Sequence, residues 1–469
     1  MQDATQTDPL SSGTTLPDLS GGLATLPESS PASPEVQSLI DIFHGYLPVF
    51  IVAFVVTLLA TPIMRALAHA NGVVDKPDAT RKLHKAPVAY LGGAAVFLGV
   101  LGGITLSLFG ASLNIFGEGE NVAIYIEHAS VYAQETIPLS IIVGMTVIML
   151  TGLIDDIVGI SPRIKIAGQL FAAAALAMED VGVKVAQGVL APLGNLIGNA
   201  DLVYSLQIPI AIPIMGGEHI TIDLIYWTGT AIIAIGILGA CNASNLIDGL
   251  DGLLSGVTTI VISGLLILSL MLAQGDDGIL DAPRIVLCLA VAGACLGFLP
   301  HNFKPASIFL GDAGSQLLGY LTIVVIFTLG DTGRTDLVVA GLIIYALPII
   351  DTTLAIVRRK MAGLSISAAD HHHLHHMLKR AVGVVPAVLL LYGISLVFAA
   401  LGIFVSIGRD RVAYSFALVF ASFIGVTAVK IATKDRAEAP EAAALRTKKS
   451  APPSQGQSPS VTPTPDPAR

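Results

Sequence analysis

Between Cys241 and Gly256 the chain reads CNASNLIDGLDGLLSG, which sets Asn242, Asn245, Asp248 and Asp251 at intervals of three. Their amide and carboxylate oxygens are hard donors, suited to a divalent cation and, through it, to phosphate. On a helix each step of three turns the face by about −60°, so four such positions sweep about 180° and form no narrow stripe. Gly249 and Gly252 predict a backbone that loosens there and lets the side chains converge. Taken alone, the stretch has a lesser alternative reading as a polar helix cap, because Asn and Asp favour caps and turns.

Four further stretches carry polar chemistry: VDKPDATRKLHKAP (74–87), LIDDIVG (153–159), FLGDAGS (309–315) and ADHHHLHHMLKR (369–380). Asp155 and Asp156 close an apolar run, where negative charge opposes the dipole of a helix C-terminus and needs another partner to hold it. Asp312 lies among Gly311, Ala313 and Gly314 ahead of an apolar run. Small residues allow close backbone approach there, and a following helix N-terminus offers N–H groups to phosphate. The last stretch holds five of the eleven histidines. A soft or borderline metal is one reading of it. No cysteine accompanies these histidines, and beside Arg358, Arg359 and Lys379 they suit a multiply charged anion better. Together the oxygen ligands favour Mg²⁺ or Mn²⁺ over zinc, with basic loops neutralising the remaining phosphate charge.

The elements that must position these residues are apolar. Charged residues are 13 % of 469 and hydrophobic ones 53 %, with a mean hydropathy of +0.76, against about 25 % charged in an ordinary soluble domain. Eleven apolar segments follow one another: 48–68, 91–110, 137–155, 165–178, 223–241, 252–273, 284–299, 316–330, 336–357, 387–408 and 411–431. Most approach the roughly 20 residues a helix needs to cross about 30 Å of hydrocarbon. The expected fold is therefore an all-α polytopic membrane protein of about eleven transmembrane helices. Residues 1–45 form an N-terminal tail without Lys or Arg, 46–432 the transmembrane domain, and 433–469 a C-terminal tail. Both tails have the composition of disordered chain, and the first lacks the charged start of a signal peptide. Segment 179–222 reads as a loop with a small hairpin.

Lys and Arg set the orientation. With the N-terminus outside, the inner loops contain Lys76, Arg81, Lys82, Lys85, Arg163, Lys165, Lys304, Arg358, Arg359, Lys360, Lys379 and Arg380, while the outer loops keep Lys184, Arg284, Arg334, Arg409 and Arg411. All five polar stretches then fall on the cytoplasmic side, as one site assembled from several inner loops where water and soluble substrate can reach it. No basic stripe or aromatic platform points to nucleic acid. Cys241, Cys288 and Cys295 fit no zinc or redox spacing and read as small buried hydrophobes. The formal net charge of −9 says little about partners, because the charges are segregated.

VDKPDATRKLHKAPVAYLGG, LIDDIVGISPRIKIAGQ, NASNLIDGLDGL, FLGDAGS and DHHHLHH, in this order over residues 74–376, resemble the motifs of the polyprenyl-phosphate N-acetylhexosamine-1-phosphate transferases. Within that family, of glycosyltransferase family 4 type, the chain is most similar to the bacterial UDP-N-acetylglucosamine:undecaprenyl-phosphate branch. The resemblance implies Asp155 and Asp156 near the lipid phosphate and metal, with Asp155 as the proposed base. It implies Asn245 and Asp312 as Mg²⁺ ligands, with Asp312 also counted as catalytic, and Asn242, Asp248 and Asp251 along the nucleotide-sugar site. Asp370, His373, His375 and His376 match the family's Asp-x-x-His-x-His-His pattern beside the diphosphate, with a preceding arginine at Arg359. His371 and His372 receive no role. The muramoyl-peptide branch ends in a different His-rich motif, which argues against that substrate.

The implied reaction moves N-acetylglucosamine-1-phosphate from a UDP-sugar in the cytosol to undecaprenyl phosphate in the membrane, releasing UMP. It would start a cell-envelope polysaccharide, of cell-wall or lipopolysaccharide type, on its lipid carrier in the bacterial inner membrane. Another UDP-N-acetylhexosamine donor and a homodimer stay open. A transporter would place its acids near span centres, whereas these cluster at span ends. A scaffold built on the His tract would leave Asp312 and the Asp155–Asp156 pair unexplained.

Overall fold

The computed structural model describes residues 39–75, 87–109, 137–199, 201–207, 219–274, 280–331, 333–361, 363, 373–408 and scattered positions between 415 and 430. The chain divides into Met1–Gln37 and Ser38–Arg469, and every described residue belongs to the second unit.

The elements are α1 (Leu39–Asn71), β1 (Val74–Asp75), β2 (Val88–Ala89), α2 (Gly92–Phe109), α3 (Leu139–Val158), α4 (Pro162–Met178) and α5 (Val185–Leu196). After β3 (Val203–Gln207) and β4 (His219–Asp223) come α6 (Leu224–Ile247), α7 (Leu253–Gln274), α8 (Asp281–Asn302), α9 (Gly311–Thr328), α10 (Thr335–Ile344), α11 (Ala346–Met361), α12 (Leu374–Val382) and α13 (Val384–Gly408). Eight of the described helices are long and apolar enough to cross a membrane, and the pair α10–α11 makes a ninth candidate if its two halves are one span. The protein is thus a multi-pass membrane protein. α4 has 17 residues and is shorter than these spans, and the expected segment 411–431 lies largely outside the described residues.

α8 and α9 are the most enclosed helices. α1, α2 and α7 pack on α8, while α2, α3 and α6 pack on α9. The outer helices turn large apolar side chains outward, as with Leu59 and Ile63 on α1 and Ile235 on α6, the pattern expected of a surface that meets hydrocarbon. α1 begins earlier than its apolar run because Ile42 and Tyr46 are buried; packing extends it where hydropathy does not. Over 179–222 the expected hairpin is present as β3–β4, antiparallel with Val203 opposite Asp223 and Gln207 opposite His219. The helix α5 was not expected there; it forms with Pro192 in its interior, where proline is ordinarily a breaker.

The stretch 336–357 reads as one apolar span but is two helices bent by 76° at Tyr345. Pro348 gives the reason: it has no N–H for the Ile344 carbonyl, and its ring crowds the preceding turn. The Tyr345 hydroxyl fixes the break to α6, hydrogen-bonding Ser244 Oγ at 2.6 Å and donating to the Ala240 carbonyl at 3.2 Å.

Candidate active site

The C-terminal ends of α3, α6 and α8 and the N-terminal ends of α4, α7 and α9 meet at one end of the bundle. Asp155 and Asp156, in the last turn of α3, take opposite partners. The Asp156 carboxylate accepts the backbone N–H groups of Asp312 and Ala313 at 2.8 and 3.0 Å. It therefore fills the N-terminal anion site of α9 that the sequence offered to phosphate. Gly311 permits this, because its φ is +69° and a Cβ there would stand 2.4 Å from Asp156 Oδ2. Asp155 accepts the Ile160 N–H at 2.9 Å and pairs with Lys165 Nζ at 2.6 Å.

Lys165 was read from the sequence only as inner-loop charge, yet it organises the centre. It sits in the first turn of α4 and reaches Asp312 Oδ2 at 2.5 Å as well as Asp155. A lysine in a first turn opposes the helix dipole, as two carboxylates in a last turn do; here the misplaced charges meet. That mismatch is the signal that finds Lys165. Asn245, in the last turn of α6, donates to Asp312 Oδ1 at 2.8 Å and to Ser315 Oγ at 3.0 Å. Below it, Gln169 accepts from Asn242 at 3.2 Å and donates to Gln316 Oε1 at 2.9 Å.

The four-residue row of Asn242 to Asp251 does not stay on one helix. α6 ends at Ile247, Asp248 occupies its C-terminal cap position, and Asp251 lies in the turn before α7. Asp248 and Asp251 thus leave the helical sweep. Burial, then the carboxylates of Asp312, Asp156 and Asp251, push the Asp248 carboxyl up to about 7. Asp251 accepts the Ala306 N–H at 3.2 Å. The turn is fixed by Asn302, which accepts from Gly252 N and Ser255 Oγ at 3.1 Å each and donates to the Ile308 carbonyl at 3.0 Å.

The histidine stretch closes over this turn. His373 and His375 stack with ring centroids 5.6 Å apart, and His375 and His376 are 4.2 Å apart. A Cβ on Gly249 would fall 2.1 Å from His375 Nε2, so only glycine admits the ring so near the Asp248–Asp251 turn. Burial and the neighbouring His376 hold the His375 pKa down at about 3, so this ring is neutral at pH 7. Burial and the Lys304 ammonium hold Lys379 below the usual lysine range, while Asp251 opposes them. Arg359 is buried in the last turn of α11. Asp370 lies outside the described residues, as does most of 74–87. The first two residues of that stretch form β1, which pairs with β2 just after the stretch, and the Phe309 N–H donates to the Ala89 carbonyl at 2.8 Å, tying β2 to the FLGD segment.

Asp155 and Asp312 oxygens converge on one cation, the Lys165 ammonium, with the Asn245 amide on Asp312. The carboxyls of Asp156 and Asp248 lie close enough to interact with Asp312. Among the described residues no three His, Cys, Asp or Glu side chains form a ready-made metal cage. A donor set of one or two carboxylates fits Mg²⁺, which keeps waters and shares substrate phosphates, better than it fits zinc.

The fold and this site define a class: a polytopic α-helical membrane protein with an acidic, lysine-bridged centre at the ends of its helices. Residues 138–330 match the family described as glycosyl transferase family 4. The chain is 32% identical over 353 residues to a probable undecaprenyl-phosphate N-acetylglucosaminyl 1-phosphate transferase of Bacillus subtilis, covering 75% of this chain and 82% of the relative. It is 32% identical over 389 residues to the decaprenyl-phosphate N-acetylglucosaminephosphotransferase of Mycolicibacterium smegmatis (79% and 85% covered). It is 28% identical over 330 residues to the undecaprenyl-phosphate alpha-N-acetylglucosaminyl 1-phosphate transferase of Escherichia coli K12 (70% and 75% covered). The chain belongs to glycosyl transferase family 4.

Proposed function

We propose that this protein transfers N-acetylglucosamine-1-phosphate from UDP-N-acetylglucosamine to undecaprenyl phosphate and releases UMP. The observation that carries the reading is the Lys165 bridge between Asp155 and Asp312, which gathers three helices of the family segment into one charged centre. An oxygen of the lipid phosphate attacks the sugar-bearing phosphorus, the P–O bond to UMP breaks, and the leaving phosphate takes the charge. Catalysis of such a transfer rests on alignment and charge neutralisation. Asp155 and Asp156 orient the acceptor and receive any proton it still carries; with a second phosphate pKa near 6, few acceptors carry one at pH 7. Lys165 neutralises charge on the moving group. Asn242, Asp248 and Asp251 position the nucleotide sugar, while Arg359, Asp370, His373, His375 and His376 face the diphosphate. Asn245 and Asp312 would hold Mg²⁺, which would supply Lewis-acid stabilisation of the diphosphate.

Eleven spans, with the N-terminus outside and the site in the cytoplasm of a bacterial inner membrane, complete the proposal. The lysine and arginine asymmetry supports this orientation, and a homodimer is compatible with it. The test uses purified full-length protein in detergent with undecaprenyl phosphate, Mg²⁺ and labelled UDP-N-acetylglucosamine. Lipid-linked label with stoichiometric UMP is expected. Product from a different UDP-hexosamine alone would correct the sugar, and no product from any donor would overturn the reading.

A further inference from the structure

Asp351 sits in the apolar run ALPIIDTTLAIV, one turn beyond the Pro348 break, and is 1 % exposed. Both of its oxygens are used. Oδ2 lies 2.9 Å from His373 Nδ1, and Oδ1 accepts the Leu374 N–H at 2.7 Å. α12 gets no cap from its own preceding side chain, so the carboxylate of α11 starts that helix from outside it. An enclosed carboxylate is costly unless it is paired. A helix start alone needs no charge, since Ser or Asn would serve.

The distinctive effect of a carboxylate here is on the ring. An ionised carboxylate only accepts, so His373 Nδ1 must carry the proton, and in the neutral ring Nε2 is the bare nitrogen. From His373 the contacts continue through its stack with His375, interplanar angle 14°, to Gly249 between Asp248 and Asp251. Among the described residues His375 Nδ1 is buried with no hydrogen-bond partner, and the ring packs against its histidine neighbours. Six residues before Asp351, at the N-terminal end of α11, Tyr345 is bonded to Ser244, the residue before Asn245. The first half of α11 therefore lies between two anchors, one beside the acid centre and one at the histidines.

We infer that Asp351 is a positioning residue of the transfer reaction: from within the bent helix pair it fixes the His373 ring and the first turn of α12, and so sets the histidine cluster against the Asp248–Asp251 turn. The kinetic arm of the test rests on the transferase reading; the ring measurement does not.

Full-length protein in detergent would be assayed as wild type, Asp351→Asn, His373→Gln and the double variant. Asp351→Asn keeps the shape but turns an amide N–H toward Nδ1. A loss of about 10²-fold in kcat with KM for the nucleotide sugar within about threefold is expected, as for partners that orient a working imidazole. The double variant should be no slower than His373→Gln alone, because Asp351 acts through that ring. Losses that multiply would overturn the proposal, since a merely structural role gives that result. The second arm needs no Asp351 variant. In wild-type protein labelled with ¹⁵N-histidine, the His373 signal, identified by its loss in His373→Gln, should show a proton on Nδ1. A bare Nδ1 with the proton on Nε2 would overturn the proposal, whether or not the enzyme is active and whether or not Asp351→Asn folds. A wild type that turns over no UDP-sugar would count against the transferase reading alone.

Discussion

Two ion-paired sites stand at opposite ends of the bundle. At the far end Arg284 is enclosed with Asp281 one turn away on α8, bonds to it directly, and donates to the Thr328 carbonyl at 2.7 Å. One cation meets one anion on one helix, in a first turn where the acid agrees with the dipole, and the pair ties α8 to the last turn of α9. At the near end Lys165 serves two carboxylates from two other helices, with Asp156 and Asp248 nearby. Four of these groups, Asp155, Asp156, Lys165 and Asp248, stand at helix ends that disfavour their charge. A balanced pair in apolar surroundings is a structural joint. An excess of one sign, gathered from several elements, is a site waiting for the opposite sign.

The comparison breaks most sharply at Asp312. Asp312→Asn should cut turnover by at least about 10³-fold while the protein stays folded, and chelation should match it in the wild type; UMP release with a thermal melt checks both. Lys165→Met should cost about 10² to 10³-fold in kcat with little change in melting temperature. The far end should behave in reverse. Arg284→Met leaves Asp281 buried and unpaired, a loss of about 3–5 kcal/mol, with kcat of the surviving enzyme within about threefold of wild type, measured by denaturant melts and initial rates.

Asp248 sharpens the contrast through pH. Its folded carboxyl, at about 7 against an ordinary 3.8, holds a proton that the unfolded chain has already released. Between those values the folded state binds more protons, so stability falls as pH rises through the window. Melting curves in chelator should show that slope in the wild type and a flatter one in Asp248→Asn. The smallest effect is expected at Glu179, whose carboxylate accepts Ser140 N and Oγ at 3.1 and 2.8 Å at the start of α3. Glu179→Ala should cost below about 1 kcal/mol and leave turnover unchanged.

The long helices and the identity of the acid residues were legible because hydropathy and local spacing encode them. What joins them was not. Asp156 reaches the start of α9 across 156 residues of chain, and no local pattern announces such a contact. Lys165 and Asp351 were overlooked because each is a single charge beside or within an apolar run, where composition averages it away. Both were detectable by a physical question: what neutralises a charge that its own helix disfavours or buries? The bend at Tyr345 was obscured in the same way, since hydropathy counts Pro348 as one mildly polar residue and geometry counts it as a break.

The Lys165 bridge also bears on how the chain enters a bilayer. α3 and α4 are consecutive and packed on each other, so Asp155 and Lys165 can meet as soon as that hairpin is made. Asp312 follows Lys165 by 147 residues. During synthesis the lysine therefore escorts one aspartate into the membrane interface as a neutral couple, and acquires the second when α9 arrives. The second carboxylate that this one ammonium must serve is thus added late, after most of the helices able to shelter the pair have been made.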